Sequence, residues 1–128
     1  MDHNTLVKTL QNEGSLKYSF SAHEIEALCQ WMTIETFKPT ETLISKGSPA
    51  DSLVFILSGL AQSLDDNRQV ALHNKGDFGG DSLFSERSTH YLNVQALEDS
   101  ITARLTCHDF HNFLQKDQTL ALKYQEFF

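Results

Sequence analysis

The residues best suited to chemistry lie together in the stretch 76–95, which reads GDFGGDSLFSERSTHYLNVQ. Its three glycines permit backbone geometries closed to other residues and let a ligand approach the main chain. Asp81 follows the last glycine, and the apolar pair Leu83-Phe84 is typical of a short helical turn whose first amides would face an anion. The polar loop that comes next holds Arg87 and His90, and a strand-like alternation follows it. This order of elements predicts a cradle for a phosphate beside a sugar.

Hydrophobic periodicity predicts the elements that must position this stretch. Ser21–Glu24 has the pattern of a capping box, and the apolar spacing behind it predicts a helix over 22–32. A shorter helix is predicted over 4–12, ending near Gly14. From residue 33 onward, alternating runs predict strands at Thr33–Lys38, Thr42–Ser45, Leu53–Leu57, Leu60–Leu64, Gln69–His73, around Leu92–Ala96 and around Ile101–Leu105. About eight short strands at such spacing indicate a closed roll or sandwich.

Two further features follow from the same pattern. The strands on either side of Asp65–Arg68 are expected to form a hairpin. The inward-facing apolar residues are expected to line the core of the roll, and they are Ile34, Ile44, Val54, Ile56, Leu72, Leu92, Val94, Ile101, Ala103 and Leu105.

The C-terminal part of the chain is predicted to be helical. Thr106–Asp109 has the pattern of a helix start, and Phe110, Phe113 and Leu114 follow on one face. A further helix over Asp117–Phe128 would carry several large apolar residues. An amphipathic helix without a covering domain should seek a partner, so residues 118–128 are a candidate surface for a homodimer or a partner protein.

Composition excludes several classes of protein. The net charge of −7 and the pI near 5.2 argue against direct nucleic-acid binding, since that depends on lysine and arginine neutralising phosphates. Cys29 and Cys107 are too few for a disulfide scaffold, and free thiols in a reducing cytosol are expected. The N-terminus lacks the pattern of a signal peptide, and the longest aliphatic-aromatic run, Leu53–Leu57, is too short for a bilayer. A cytoplasmic location away from membranes is therefore expected.

The stretch resembles the phosphate-binding cassette of the cyclic nucleotide-binding domain family, in which Gly-Asp-Phe-x-Gly-Glu precedes a short helix, an arginine and a β-strand. Gly76–Asp81 fits the first part, with Asp81 in the place of the glutamate. Leu43–Gly59 looks like the family's first β-roll hairpin, and Thr106–Phe110 fits the start of its last helix. The resemblance covers about residues 20–116. It implies a mainly β domain with flanking α-helices, an eight-stranded antiparallel β-roll of jelly-roll type.

The resemblance also implies the residues of the site. In the family the glutamate binds the ribose 2′-hydroxyl, and the arginine, which binds the phosphate, corresponds by position to His90. Arg87 lies three residues earlier and is a substitute candidate. The alternatives are a helix-capping role for Asp81, a solvated Arg87 and a structural His90. The candidate ligand-binding residues are Phe78, Gly79, Gly80, Asp81, Ser82, Arg87, Thr89, His90 and Tyr91.

A single domain over 1–128 is expected, with N-terminal helices at 1–32, the roll at 33–106 and C-terminal helices at 107–128. The resemblance implies a non-catalytic regulatory module that binds cAMP or a related nucleotide such as cGMP weakly, in a divergent pocket, and signals through its C-terminal helix. The alternative is a protein-interaction module with a vestigial pocket. No cofactor or metal is assigned, because Cys107, His108 and His111 lack a second ligand pair with zinc-like spacing.

Overall fold

A computed structural model describes residues 1–14, 16–49, 51–79, 89–116, 119 and 122. The helices are α1 (His3–Asn12), α2 (Leu16–Ser19), α3 (Ala22–Cys29) and α4 (Cys107–Leu114). The strands are β1 (Thr33–Phe37), β2 (Thr42–Ile44), β3 (Ser52–Ser58), β4 (Ala61–Asp65), β5 (Arg68–His73), β6 (Phe78–Gly79), β7 (Asn93–Ala96) and β8 (Ser100–Thr106). The predicted helix over Asp117–Phe128 lies outside the described residues, apart from the single positions 119 and 122.

Side-chain caps determine where the longer helices begin. Ser21 accepts a hydrogen bond from the amide of Glu24, and the Glu24 carboxylate accepts one from the amide of Ser21, which completes the predicted capping box. Thr106 caps α4 in the same way by accepting from the amide of Asp109. The helix predicted over 22–32 ends earlier, at Cys29, because the chain must turn before β1 begins at Thr33.

The strands form two antiparallel sheets. The front sheet has the order β1-β8-β3-β6, and the back sheet has the order β2-β7-β4-β5. Among the described residues there are seven strands of at least three residues, and β6 adds a two-residue pairing at the edge of the front sheet, so the expected count of eight depends on how β6 is counted. The architecture is mainly β with flanking helices.

The predicted hairpin joins β4 to β5. Asp66 and Asn67 form the two-residue turn, and both have positive φ angles, 48° and 68°. That conformation is the one whose twist matches a tight antiparallel hairpin, and aspartate and asparagine tolerate it better than most residues.

Strand β3 is buried on both faces, so the molecule has two hydrophobic cores. Its odd-numbered residues pack with the helices in a helix-facing core, whose buried members are Leu6, Val7, Leu10, Leu16, Phe20, Ile25, Leu28, Cys29, Leu53, Phe55, Leu57, Ala103, Leu105, Phe110 and Phe113. Its even-numbered residues pack against the back sheet in an inter-sheet core, whose buried members are Leu43, Ile44, Val54, Ile56, Ala61, Val94 and Ala96. The single predicted core is therefore divided between two faces of one sheet.

Two predicted core residues are not among the described members of either core: Leu92 is half-buried, and Leu72 is exposed. The side chain of Leu72 is 50% exposed, whereas Ala71 and His73 on either side of it are half-buried. The pairing of β4 with β5 explains the reversal, because the register skips Val70 and pairs buried Ala61 and Ser63 with His73 and Ala71. Alternate residues point to opposite faces, so Leu72 points outward.

Candidate functional site

The stretch 76–95 begins in a turn that is hydrogen bonded to the front sheet. The amide of Asn74 donates to the carboxylate of Asp77, and the amide of Asp77 donates to the carbonyl of Asn74, at 2.9 Å each. The turn joins β3 because Gly76 donates to the carbonyl of Ile56 and Ile56 donates to the carbonyl of Asp77. These bonds lead the chain into β6, where Gly79 lies opposite Val54 on the adjacent strand.

Two glycines allow the N-terminal helices to support this turn. Gly14 and Gly76 both have positive φ angles, 80° and 88°. A side chain at Gly14 would collide with the backbone of Gly76, and one at Gly76 would lie 2.5 Å from the backbone carbon of Glu13. Only residues without a Cβ permit this approach, so the segment after α1 packs directly on the start of the stretch.

Residues 89–91 of the stretch lie against the turn that follows β2. The amide of Gly47 donates to the carbonyl of His90, and the amide of His90 donates to the carbonyl of Ser48, at 2.8 Å each. Thr89 forms an isolated antiparallel bridge with Pro49. The side chains of Thr89 and Tyr91 are exposed, whereas that of His90 is only 4% exposed. His90 is therefore the buried residue of this group, as predicted, although the strand that follows it begins only at Asn93.

The structure describes part of the predicted ligand-binding set. Phe78 and Gly79 lie in β6, and Thr89, His90 and Tyr91 lie at the other end of the stretch. Gly80, Asp81, Ser82 and Arg87 lie outside the described residues. The two described ends are held by different elements, one by β3 and one by the turn at 47–49.

A second polar group, which the sequence prediction did not include, faces the back sheet's inner side. The hydroxyl oxygen of Ser63 lies 2.6 Å from Nε2 of His73, and Ser63 is 4% exposed. Burial lowers the pKa of His73, and the nearby carboxylate of Asp77 partly opposes this shift. His73 is therefore mostly neutral at pH 7. The two residues are ten positions apart, and only the hairpin register brings them together.

A polar cluster also links the two sheets. The guanidinium of Arg104 donates to the carboxylate of Glu35 at 2.6 Å, to the hydroxyl of Ser52 at 2.8 Å and to the carbonyl of Leu43 at 2.9 Å. Arg104, Glu35 and Ser52 belong to the front sheet, and Leu43 belongs to the back sheet. All three nitrogens of the guanidinium are engaged, so this arginine connects the sheets.

No group of three or more His, Cys, Asp or Glu side chains in the described ranges could hold a metal ion. Burial raises the pKa of the Cys29 thiol to about 12, so this cysteine is a poor nucleophile. One cavity of about 370 Å³ lies beside Phe37, and another of about 380 Å³ lies beside Trp31. Ser63, His73 and His90 line neither of them. Within the same ranges, the helices all fall short of the length and apolar character that a membrane span requires.

Comparison with known proteins identifies related folds. The family profile described as cyclic nucleotide-binding domain matches residues 34–117. No curated protein sequence matches the chain. A structure described as cAMP-bound PfPKA-R has a TM-score of 0.77 at 16% identity, and the match covers 97% of this chain and 45% of that chain.

Two other solved structures are similar. A cyclic nucleotide-binding domain from Methylobacillus flagellatus has a TM-score of 0.77 at 20% identity, with coverage of 94% of this chain and 70% of that one. The regulatory subunit of a cAMP-independent protein kinase A from Trypanosoma brucei has a TM-score of 0.76 at 22% identity, with coverage of 97% and 47%. Identities this low show a shared fold alone. The chain spans about half the length of PfPKA-R and of the trypanosomal subunit.

Proposed function

The chain belongs to the cyclic nucleotide-binding domain family, and from this premise we propose that it is a non-catalytic regulatory module that binds a cyclic nucleotide weakly. The phosphate would lie on the stretch 76–91, and ligand occupancy would be transmitted through the C-terminal helical segment. We treat residues 1–128 as one domain of this type, with the roll at 33–106 between N-terminal and C-terminal helices.

The observation that carries this proposal is the inward, buried position of His90. Its amide and its carbonyl are both hydrogen bonded to the turn at 47–49, while the side chains of Thr89 and Tyr91 are exposed. This is the position that corresponds to the family's phosphate-binding arginine. An imidazole there can donate a hydrogen bond to a phosphate oxygen, and it carries a positive charge only when protonated.

Weak binding is expected because His90 stands where the family has an arginine. An arginine offers a planar fork that binds two phosphate oxygens and stays charged at all physiological pH values. A charge-assisted hydrogen bond contributes about 1.5–3 kcal/mol, so its loss should weaken binding by roughly ten- to a hundredfold. Arg87, if it reaches the phosphate, would recover part of this loss.

A second candidate function is supported by the same histidine. A buried His90 without the arginine fork is also expected of a protein-interaction module whose pocket no longer binds a nucleotide. The solved structures agree with either function, because one is described as cAMP-bound and another as cAMP-independent. Such a module would act through its surface alone.

The test is calorimetric titration of the parent chain with cAMP and cGMP at about pH 5.5 and about pH 8, on either side of histidine's usual titration range. His90→Ala and Arg87→Ala are measured beside the parent, with the exposed His23→Ala on α3 as the matched control. Binding that is tighter at the lower pH and lost in His90→Ala assigns the phosphate contact to His90. Binding that barely changes with pH and is lost in Arg87→Ala assigns it to arginine. Tight binding that neither substitution alters would refute both assignments.

We also propose that residues 118–128 mediate association with a second copy or a partner protein. Leu122 is 67% exposed, and the sequence crowds further large apolar residues beside it at Leu120, Tyr124 and Phe127. Deleting 118–128 should convert a dimer to a monomer in sedimentation, and Leu122→Asp should weaken the dimer without shortening the chain. A parent chain that stays monomeric at high concentration would refute the proposed homodimer.

A further inference from the structure

A cavity of about 380 Å³ lies where α3 and α4 end. Small-molecule sites in proteins commonly have volumes of about 300–1,000 Å³, so this cavity has room for a small ligand. The residues that line it come from both helices and from the turns that follow them, and they are Ala27, Gln30, Trp31, Phe113 and Lys116. None of these five belongs to the stretch 76–95, so the proposed nucleotide site shares none of them.

The inner wall of the cavity is apolar and is held in place by packing. Phe113 is 1% exposed and belongs to the helix-facing core. Its ring centroid lies 6.3 Å from that of Phe20 and 6.1 Å from that of Phe110, within the range of favourable aromatic pairs. Half-buried Trp31 packs against the same core. Two aromatic side chains in a fixed arrangement favour a ligand with a flat apolar ring.

The outer edge of the cavity carries one positive charge. The ammonium nitrogen Nζ of Lys116 lies 5.3 Å from the centroid of the Trp31 ring, which is a cation–π distance. Gln30 contributes a neutral amide, and Ala27 contributes a single methyl group. None of the five lining side chains is acidic, so the ammonium has no carboxylate partner among them. A carboxylate on the ligand would supply that opposite charge.

The carbonyls at the two helix ends oppose an anion only weakly. The carbonyl of Leu28 accepts a hydrogen bond from the amide of Trp31 at 3.0 Å, and the carbonyl of Phe113 accepts one from the amide of Lys116 at 3.2 Å. Helix C-termini carry a partial negative charge and such bonds offset part of it, whereas the lysine carries a full positive charge. A cationic ligand would meet the ammonium of Lys116 at the edge of the cavity and be repelled.

We propose that the cavity between α3 and α4 is a second ligand site and that it takes a small aromatic carboxylate. The ring would lie against Trp31 and Phe113, and the carboxylate would pair with the ammonium of Lys116. This site goes beyond the proposed function, because it uses different residues and needs no nucleotide. A ligand that binds only the folded chain should also raise the thermal stability of the domain.

Trp31 is the only tryptophan of the sequence, so tryptophan fluorescence reports on this cavity directly. The probe is phenylacetate, compared with uncharged phenylacetamide, cationic phenethylamine and acetate, which lacks the ring. Phenylacetate should change the emission of Trp31 saturably and raise the melting temperature. Phenylacetamide should bind about fivefold more weakly, the effect of one solvent-exposed ion pair, and acetate should give no saturable change.

Two substitutions test the two parts of the site, each with a matched control. Ala27→Phe adds a ring at an exposed position that lines the cavity, so it should abolish the response, whereas Ala22→Phe on the same helix should not. Lys116→Met removes the charge and should erase the preference for phenylacetate over phenylacetamide, while Lys8→Met on α1 should preserve it. All four positions are exposed, so the packed core is unchanged.

Three results would overturn the proposal. A folded parent chain that gives no saturable response to phenylacetate refutes the second site. A response that Ala27→Phe leaves intact places the probe elsewhere, and tighter binding of phenethylamine than of phenylacetate refutes the anionic ligand. Because no nucleotide is present, these results leave the proposed nucleotide-binding function to its own titrations with cAMP and cGMP.

Discussion

The two faces of the front sheet differ in the size and polarity of the side chains packed on them. The helix-facing core contains several phenylalanines and leucines, among them Phe55 of β3 and Phe110 of α4. The inter-sheet core is built from aliphatic residues, and among the described side chains half-buried Phe37 is the aromatic one packed against it. The polar side chain of Ser63 is buried on this second side, opposite Val94.

This difference assigns the two faces different roles. Large apolar side chains in close contact stabilise the fold, because they remove the most surface from water. The inter-sheet side has fewer large side chains and includes the buried polar Ser63. The helix-facing core is therefore expected to contribute more to stability, and the inter-sheet side is where the proposed function would place a ligand.

The largest effect is expected in the helix-facing core. Phe55→Ala removes a fully buried ring and should lower the free energy of unfolding by about 3–5 kcal/mol. Val54→Ala, the adjacent residue on the opposite face of β3, should cost less, about 1.5–3 kcal/mol. Both values are measured by chemical denaturation followed by circular dichroism. Equal losses would contradict the proposed division of roles.

A smaller effect is expected for the polar link between the sheets. Arg104→Met removes three hydrogen bonds and leaves Ser52 and the carbonyl of Leu43 without their donor. The cost should be about 1–3 kcal/mol, since the ion pair with Glu35 is partly exposed to solvent. A double-mutant cycle with Glu35→Gln measures the coupling between the two side chains. Coupling indistinguishable from zero would show that the guanidinium acts through Ser52 and Leu43 alone.

Space between the sheets can be probed with two fully buried alanines. Ala103 belongs to the helix-facing core and Ala61 to the inter-sheet core. Ala103→Val should cost about 1–3 kcal/mol, because extra carbon atoms do not fit a closely packed core. Ala61→Val should cost less. A greater thermal destabilisation in Ala61→Val would mean that the inter-sheet side is the more tightly packed one.

The smallest effect concerns the stability of the domain in acid. Because the pKa of His73 is lowered in the folded state, the unfolded chain binds more protons below the usual histidine value of about 6.5. Stability should therefore fall as the pH drops through and below that value, and it should not depend on His73 above it. His73→Gln should reduce this acid-dependent loss, measured by denaturation across pH. An unchanged profile in His73→Gln would show that the burial of this ring has no such consequence.

Sequence periodicity was sufficient for most of the fold. The capping box at Ser21 predicted the start of α3, and the alternation from Ile101 to Leu105 predicted β8. The four-residue α2 was missed because it is too short to show a period. Leu72 was misplaced because strand alternation alone does not say which of two faces is buried; the pairing of β5 with β4 decides that.

The site was less predictable than the fold. The burial of His90 could be predicted from its alternation with Leu92 and Val94, although the structure begins β7 only at Asn93. The contact between Ser63 and His73 could not, because it depends on the register across the hairpin. In the sequence, His73 and Ser63 belong to no recognisable motif. Whether Asp81 and Arg87 contact a ligand stays a prediction.

The most direct test of the account is calorimetric titration of cAMP into the parent, into His90→Arg and into His23→Arg. The last variant adds the same charge at an exposed site on α3. If the inter-sheet side is a nucleotide site weakened by the loss of one arginine, His90→Arg should bind roughly ten to a hundred times more tightly than the parent. His23→Arg should bind like the parent. A folded His90→Arg that binds no better than the parent would contradict the account.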